Sequence, residues 1–131
     1  MWGAIIKWRC VMELDLFGQI NRMKDMSNST DLEKKHTPVI DAPDKVNAGE
    51  PFEVTIHVGK LLKHPNEMGH HIQWVNLFSN DLLVATANFT PALAEPKATF
   101  VVVLQKRAIL RAVERCNLHG EWEYTKKIKV S

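Results

Sequence analysis

The sequence has 131 residues, enough for one domain with a single hydrophobic core. Apolar residues make up 45% and charged residues 24% of the chain, which is typical of a globular protein and excludes wholesale disorder. The formal net charge of +2 is too small to indicate binding to nucleic acid, and no basic stripe with interleaved aromatic residues occurs. No apolar run reaches the roughly 20 residues of a transmembrane helix, so we expect no membrane association.

The chain contains two cysteines, Cys10 and Cys116, so it cannot form a disulfide framework. This scarcity favours a reducing compartment, and we expect a cytoplasmic protein. The first ten residues are apolar but are interrupted by Lys7 and Arg9, and they lack a small-residue cleavage site. These features argue against a signal peptide.

The first 30 residues differ in pattern from the rest of the chain. Apolar side chains recur at helical spacing and predict a short amphipathic helix, at Met12, Leu16, Ile20 and Met23. Residues 27–30 are polar and typical of a linker. We therefore expect an N-terminal extension at residues 1–30, which is helical, disordered or the product of a wrongly assigned start codon, followed by a domain at residues 31–131.

From Pro38 onward the pattern predicts short β-strands. Residues 52–58 alternate apolar and polar side chains, as a half-buried strand does. Further strands are predicted at residues 72–78, 82–89, 99–104, 109–114 and 122–130, with a hairpin turn at residues 79–81. Because residues 99–104 are nearly all apolar, we expect a central strand buried on both faces. Several short strands separated by turn signals indicate an all-β sandwich.

Three short segments carry side chains that bind metals, each at a predicted strand edge or loop. His36 lies in Lys-His-Thr-Pro at residues 35–38, and His64 and His70 bracket a loop at residues 64–71. In the third segment, Cys116 and His119 are separated by two residues, which places a thiolate and an imidazole within reach of one metal ion.

Three metals compete for such a set of donors. Structural zinc prefers four ligands in a closed tetrahedron, usually with several thiolates, whereas these segments offer one thiolate and four loop histidines. Blue copper needs two histidines, one cysteine and an axial methionine. No methionine follows Cys116, although Met68 lies in the histidine loop. Five ligands with an open sixth position suit redox iron best.

The three segments together resemble the signatures of superoxide reductases of the neelaredoxin type, which are one-iron proteins related to desulfoferrodoxin. They occur in the family's order and spacing, as Lys-His-Thr-Pro-Val-Ile at residues 35–40, His-Pro-Asn at 64–66 with His-His-Ile-Gln-Trp at 70–74, and Cys-Asn-Leu-His-Gly-Glu-Trp at 116–122. The resemblance covers residues 34–130. It implies an immunoglobulin-like sandwich of about seven strands.

The resemblance also implies an enzyme that reduces superoxide to hydrogen peroxide at one iron ion (Fe2+/Fe3+) per chain. The four equatorial imidazoles would be those of His36, His64, His70 and His119, and the axial thiolate that of Cys116, opposite an open sixth position. Backbone N–H groups of Leu118 and His119 are expected to hydrogen-bond the sulfur and tune the metal. Lys35 matches the family's lysine that attracts the superoxide anion.

One position departs from the family pattern, which usually has a glutamate two residues before the first histidine ligand. Here that position is Lys34, and Glu33 lies one residue earlier. We therefore leave Glu33 out of the predicted ligand set. The resemblance further implies rubredoxin or a similar small iron protein as electron donor, and a homo-oligomer, most simply a tetramer.

The remaining candidate residues have plainer interpretations. His57 is expected on the polar side of its strand, and His71 should point away from the metal because it neighbours His70. Two other functions remain open at this point: an immunoglobulin-like structural module whose histidines bind zinc, and an electron carrier with a closed metal site. Two cysteines are too few for an additional rubredoxin-like centre, which needs four.

Overall fold

The computed structural model describes residues 15–131. Nine strands occur in this part of the chain: β1 (Ile20–Arg22), β2 (Pro38–Asp41), β3 (Lys45–Val46), β4 (Phe52–Val58), β5 (Ile72–Ser79), β6 (Leu82–Asn88), β7 (Lys97–Val102), β8 (Ala108–Cys116) and β9 (Gly120–Val130). One α-helix, α1 (Asp31–His36), and two single turns of 3-10 helix, Asp15–Phe17 and Met26–Asn28, complete the described structure. No helix within residues 15–131 combines the length and apolar character needed to cross a membrane.

The strands form two sheets that pack face to face. The larger sheet has the order β1-β9-β8-β5-β6. The short strand β3 also pairs with β9, further along that strand than β1. The smaller sheet has the order β2-β4-β7. β1 and β3 pair parallel to β9, and every other pairing is antiparallel. The predicted all-β sandwich is confirmed. About seven strands were expected, and nine occur among the described residues. The two shortest, β1 and β3, account for the difference, and both pair with β9.

The core lies between the inner faces of the two sheets. In β4, the predicted alternation buries Val54, Ile56 and Val58 completely or nearly so. These side chains meet buried residues of the larger sheet, such as Leu77 of β5 and Leu110 of β8. Each fully buried aliphatic side chain of this kind contributes about 1.5–3 kcal/mol of transfer free energy. Alternation of period two therefore sets which face of each strand is internal.

The prediction of a central strand at residues 99–104 was wrong. β7 lies at the edge of the smaller sheet and pairs only with β4 among the described strands. Its alternate side chains face outward, so Val101 is 69% exposed while Val102 is buried. A continuous apolar run does not distinguish an edge strand from a central one, because both can be rich in valine. The predicted hairpin at residues 79–81 does form, with Asn80 and Asp81 at positive φ as a tight turn requires.

The predicted amphipathic helix near the N-terminus was also wrong for its described part. Ile20 lies in strand β1, and Leu16 lies in a single 3-10 turn. Met12 and Cys10 lie outside the described residues. The predicted linker at residues 27–30 instead leads directly into α1, because Thr30 is the residue that caps this helix. Pairing with β9 overrides the weak helical spacing of this segment.

The register of the sheets gathers all three sequence motifs at one end of the sandwich. β2 begins at Pro38, which lies opposite the last residue of β4, Val58. Ile72 at the start of β5 lies opposite Cys116, and Cys116 in turn lies opposite Gly120. The residues just before β2 and β5, just after β4, and between β8 and β9 therefore share one end of the molecule.

Candidate metal centre

His36 is held at the end of a short, well-capped helix. The Thr30 hydroxyl accepts a hydrogen bond from the Glu33 N–H at 3.1 Å, and the Glu33 carboxylate accepts one from the Thr30 N–H at 2.8 Å. This reciprocal capping box starts α1. The helix stops after His36 because Pro38 disfavours helical backbone at the residue before it. The sequence thus places the His36 ring at a helix end beside the first strand of the smaller sheet.

Four imidazole rings form a square. Neighbouring rings have centroids 4.7–5.1 Å apart in the order His36, His64, His70, His119 and back to His36, and they stand at 63–83° to one another. His36 and His70 lie across the square, with centroids 6.5 Å apart and planes only 28° apart. The diagonal is longer than every side, as in a square.

The thiol of Cys116 closes this square from one side. One donor atom each from His36, His70, Cys116 and His119 lies within 4.8 Å of the other three. His64 is not in that group of four, but its Nε2 lies 3.2 Å from Nε2 of His36 and 3.4 Å from Sγ of Cys116. Nitrogen and sulfur donors bind a first-row metal ion at about 2.0–2.3 Å, which places neighbouring donors about 3 Å apart. Four of these side chains therefore fit a single metal ion, and His64 lies beside the same position through its contacts with His36 and Cys116.

His36 and His64 form the buried edge of the square. His36 donates its Nδ1–H to the Leu32 carbonyl at 2.7 Å, and His64 donates its Nδ1–H to the Pro65 carbonyl at 2.6 Å. These bonds select the tautomer that leaves Nε2 with a free lone pair for a metal. Burial lowers the pKa of His36 to about 4 and that of His64 to about 3. Both rings are therefore neutral at physiological pH, as metal ligands must be.

His70 and His119 form the exposed edge of the square. Both are partly open to solvent, whereas His36 and His64 are 1% and 2% exposed. Nε2 of His70 is itself buried and has no hydrogen-bond partner within residues 15–131, as expected of a nitrogen that faces a metal position. Burial, followed by the nearby His119, lowers the pKa of His70. The square is thus closed on one edge and accessible on the other.

Cys116 lies at the inner face of β8 and is fully buried. Burial raises the pKa of its thiol, and hydrogen bonds from the backbone N–H groups of Leu118 and His119 act in the opposite direction. These two N–H groups were expected from the sequence. They stabilise negative charge on the sulfur, so they favour the thiolate form that binds a metal. Nδ1 of His119 lies 3.8 Å from the sulfur.

Asn117 ties two of the ligand loops together, a role that the sequence analysis missed. Its Oδ1 accepts the His71 N–H at 2.9 Å, its Nδ2 donates to the Gly69 carbonyl at 2.9 Å, and its own N–H donates to the His71 carbonyl at 3.2 Å. Gly69 and His71 flank His70 in the sequence, and Asn117 directly follows Cys116. One residue therefore fixes the position of His70 relative to the thiol.

Trp122 contacts two of the residues that form the square, His36 and His119. Its indole stacks on His36 with centroids 5.3 Å apart and planes at 25°, and its Nε1–H donates to the His119 carbonyl at 3.0 Å. The side chain is 3% exposed. The sequence signal for this role is the tryptophan three residues after His119.

The charged residues around α1 have different surroundings. Lys35 directly precedes His36 in the last turn of α1, and its positive charge is a minor contribution to the lowered pKa values of His36 and His70. Glu33 is occupied elsewhere, because its Oε1 accepts the Thr30 N–H and its Oε2 accepts the Lys24 N–H at 3.1 Å. The hydrogen bond from Thr30 is the main reason that the pKa of Glu33 is lowered. Lys34 occupies the next position along the last turn of α1.

The other histidines lie outside the square. His57 lies in β4 opposite Lys97 and Val39, and burial lowers its pKa. His71 is bound to Asn117 through its backbone, and its Nδ1 is buried without a partner within residues 15–131. Neither belongs to the group of close donor atoms. The positions of His57 and His71 agree with what the sequence analysis expected of these two residues.

Glu114 is a second residue that the sequence analysis did not single out. It is fully buried on the same face of β8 as Cys116, and neither carboxyl oxygen has a hydrogen-bond partner within residues 15–131. Burial raises the pKa of Glu114 well above its ordinary value, and the charge of Glu121 acts in the same direction. The sequence does carry a signal for the burial of Glu114. It follows Leu110 and Ala112 at intervals of two residues, which places all three on the same, inward face of the strand.

Known proteins share both the sequence and the fold. The sequence model of the desulfoferrodoxin family matches residues 28–125. A protein of Methanocaldococcus jannaschii is 45% identical over 113 residues, which cover 83% of this chain and 92% of that protein. The superoxide reductase of Thermococcus kodakarensis is 37% identical over 99 residues, covering 69% and 84% of the two chains.

Solved structures of superoxide reductases have the same fold as this chain. The superoxide reductase (neelaredoxin) from Ignicoccus hospitalis superimposes with a TM-score of 0.75 at 39% identity, covering 86% of this chain and 95% of that one. The family match spans most of the chain and includes the four rings of the square and the thiol of Cys116. The chain belongs to the desulfoferrodoxin family.

Proposed function

We propose that this protein is a superoxide reductase, which reduces superoxide to hydrogen peroxide without producing dioxygen. The observation that carries the proposal is the square of four imidazole rings closed by one buried thiol. Iron fits this donor set, because imidazole and thiolate both suit iron and five ligands leave one position free for a substrate. The relatives named above support the same reaction.

We propose His36, His64, His70, His119 and Cys116 as the ligands of one iron ion. The buried edge is preorganised for this role, since the Leu32 and Pro65 carbonyls hold its rings in the tautomer that presents Nε2. The N–H groups of Leu118 and His119 stabilise the sulfur as a thiolate. When bound, iron supplies the electron that superoxide accepts, and the thiolate increases the electron density available to it.

Lys35 has a separate role in this proposal. Superoxide is a small anion, and it needs one electron and two protons to become hydrogen peroxide. A lysine near the partly exposed edge attracts the anion and raises its local concentration. The position of Lys35 in the last turn of α1, directly before His36, supports this placement. Water reaching the exposed edge supplies the protons.

The absence of Glu33 from the ligand set follows from its contacts. Both of its carboxyl oxygens accept backbone hydrogen bonds at the start of α1, and releasing them would uncap the helix. Loss of such a cap costs about 1 kcal/mol. We propose that Glu33 acts as a helix-capping residue and that no carboxylate from α1 binds the ferric ion in this protein.

Each turnover needs an electron from outside the chain. The sequence has two cysteines, too few for a second, four-cysteine iron centre. We propose rubredoxin or a similar small iron protein as the donor. The partly exposed rings of His70 and His119 are the ligand edges that such a partner could approach.

We also propose a homo-oligomer, most simply a tetramer. Strand β6 lies at one edge of the larger sheet, and it exposes Leu82, Leu83 and Val84 by 69%, 50% and 41%. No charged residue occurs between residues 82 and 94 to protect this edge. Sedimentation velocity tests the assembly, and a monomer at micromolar concentration would contradict it.

A zinc-binding structural module is the alternative function. Four of the donors, from three histidines and Cys116, form a set that closed tetrahedral zinc accepts. The fifth donor argues against it, because Nε2 of His64 lies as close to the sulfur as a ligand of the same ion would. Zinc and iron therefore differ in whether His64 is needed.

The proposed reaction is tested by mixing superoxide with the reduced, iron-loaded protein and measuring both products. We expect one hydrogen peroxide for each superoxide consumed and no dioxygen above the spontaneous background. Zinc-loaded protein is the control and should not react. Evolution of dioxygen together with peroxide would indicate dismutation instead, and an iron-loaded protein that does not react would reject the proposal.

A further inference from the structure

The segment of residues 15–24 packs against two of the elements that carry the square. We define it as the N-terminal strap; it contains the first 3-10 turn and strand β1. It lies before residue 28, where the match to the family model begins. We propose that the strap positions His36 and His119, with Asn21 as its central positioning residue. The inference rests on the proposed function, because it concerns ligands of the same metal.

Asn21 uses both hydrogens of its amide group inside the protein. Its Nδ2 donates to the Leu16 carbonyl at 2.8 Å and to the Glu121 carbonyl at 2.9 Å. The residue is 6% exposed, so water cannot easily replace these bonds. Glu121 lies two residues after His119. Asn21 therefore joins the strap to the backbone that follows this ligand.

Gly120 brings the strap into direct contact with the ligand turn. It has a positive φ of 77°, and a Cβ at this position would overlap the Leu16 carbonyl oxygen. Only glycine allows the turn and the close approach together. The residue directly after His119 is thus covered by the backbone of the strap, held in place by the bond from Asn21 to the Leu16 carbonyl.

The strap also reaches the helix that carries His36. The Lys24 N–H donates to Oε2 of Glu33 at 3.1 Å, and Glu33 caps α1, which ends at His36. Between these two ends, β1 pairs parallel to β9, with Asn21 opposite Trp122. Trp122 stacks on His36 and bonds to the His119 carbonyl. The strap consequently restrains two neighbouring corners of the square.

This restraint matters most at His119. The ring lies on the exposed edge, and the turn that carries it comprises only the residues between β8 and β9. Partners that orient metal ligands typically change metal affinity about 10–100-fold when they are removed. Without the strap, the His119 turn would keep its hairpin but lose the contact that covers Gly120.

The test uses variants of Asn21 in the full chain. Asn21→Leu removes both hydrogen bonds, Asn21→Asp replaces the donating amide by an oxygen facing two carbonyls, and Asn21→Gln retains a donor. Arg22→Ala is the matched control, because it removes the Arg22–Glu123 ion pair (2.6 Å) from the same strand without touching Asn21. Three quantities are measured: the rate of iron release to a chelator, the wavelength of the ferric charge-transfer band, and amide exchange at residues 117–122 in metal-free protein.

We expect Asn21→Leu and Asn21→Asp to release iron roughly tenfold faster, in the lower range for partners that orient metal ligands. The band should shift and exchange at residues 117–122 should accelerate, while Asn21→Gln recovers part of each change. Arg22→Ala should match the unsubstituted protein in all three. A destabilised protein with an unchanged band and release rate would overturn the positioning role. If Asn21→Leu does not fold, Asn21→Ser against Asn21→Gln gives the same comparison.

The two proposals fail in different ways. If the unsubstituted protein holds no iron or shows no thiolate band, the proposed function is wrong. If it binds iron normally and the Asn21 variants behave like Arg22→Ala, only the role of the strap is wrong.

Discussion

The two edges of the imidazole square are built from the same side chain but have different surroundings. His36 and His64 are buried, donate Nδ1–H to nearby carbonyls, and have pKa values of about 4 and 3. His70 and His119 are partly exposed, and His70 presents a buried Nε2 with no partner within residues 15–131. The buried edge belongs to the folded framework, whereas the exposed edge is open to solvent. The proposed metal site thus combines a buried half with a solvent-accessible half.

The thiol joins the two halves, so its substitution should have the largest effect. Cys116→Ser should abolish superoxide reduction even in protein that still holds iron, because a serine oxygen donates less electron density than a thiolate. Superoxide consumption and iron content are measured on the same sample. A serine variant with full activity would refute the proposed role of the Cys116 thiolate as a ligand.

The comparison of the two edges is tested directly by alanine substitution in metal-free protein. His36→Ala should lower the free energy of unfolding by about 2 kcal/mol or more, because it opens a cavity beside Trp122. His70→Ala should lower it by less than about 1 kcal/mol, as expected for a partly exposed side chain. Urea unfolding measures both. Equal losses would show that the edges do not differ as described.

Acid should act mainly on the buried edge. Its two histidines have native pKa values of about 4 and 3, below the ordinary value of 6.5, so the unfolded chain binds more protons than the native one in this range. Their contribution to stability is complete above pH 6.5 and is lost as the pH falls toward 4 and then 3. Near pH 5, these two histidines should together bind about two protons from solvent when the metal-free protein unfolds.

The dependence of unfolding free energy on pH, measured between pH 7 and 4, checks this expectation. The same curve for His36→Gln should be shallower by about one proton. A slope that is unchanged in this variant would mean that His36 does not titrate as its burial requires.

The smallest effect concerns the approach of superoxide at the exposed edge. Lys35→Ala should slow the second-order reaction roughly threefold and weaken its dependence on salt, since one attracting charge is removed. Lys127→Ala is the control, because it removes the same charge from an exposed position on β9, far along the strand from the ligand turn. Equal rates for the two variants would remove Lys35 from the mechanism.

Local patterns predicted most of the fold. Alternation over residues 52–58 and the Asn-Asp turn at residues 80–81 gave β4 and the hairpin correctly, because both depend on nearby residues. β7 was misplaced because edge and central strands share the same composition, and only pairing decides between them. The strand at Ile20 was missed because its parallel partner lies about 100 residues away in the sequence.

The ligands could be proposed from the sequence because a metal requires particular side chains at particular spacings. The supports of the ligands were harder to find. Asn117 and Asn21 make their hydrogen bonds to backbone atoms, and such bonds leave no characteristic spacing in a single sequence. The position of Glu33 could be read only from its hydrogen bonds to Thr30 and Lys24.

The visible spectrum of iron-loaded protein, with metal content measured alongside, tests the central claim most directly. We predict about one iron per chain, as one set of five ligands implies, and a long-wavelength band in the ferric form that disappears on reduction. That band reports charge transfer from the Cys116 thiolate. A protein that stays colourless with added iron, or that binds zinc in preference, would contradict the proposed iron centre.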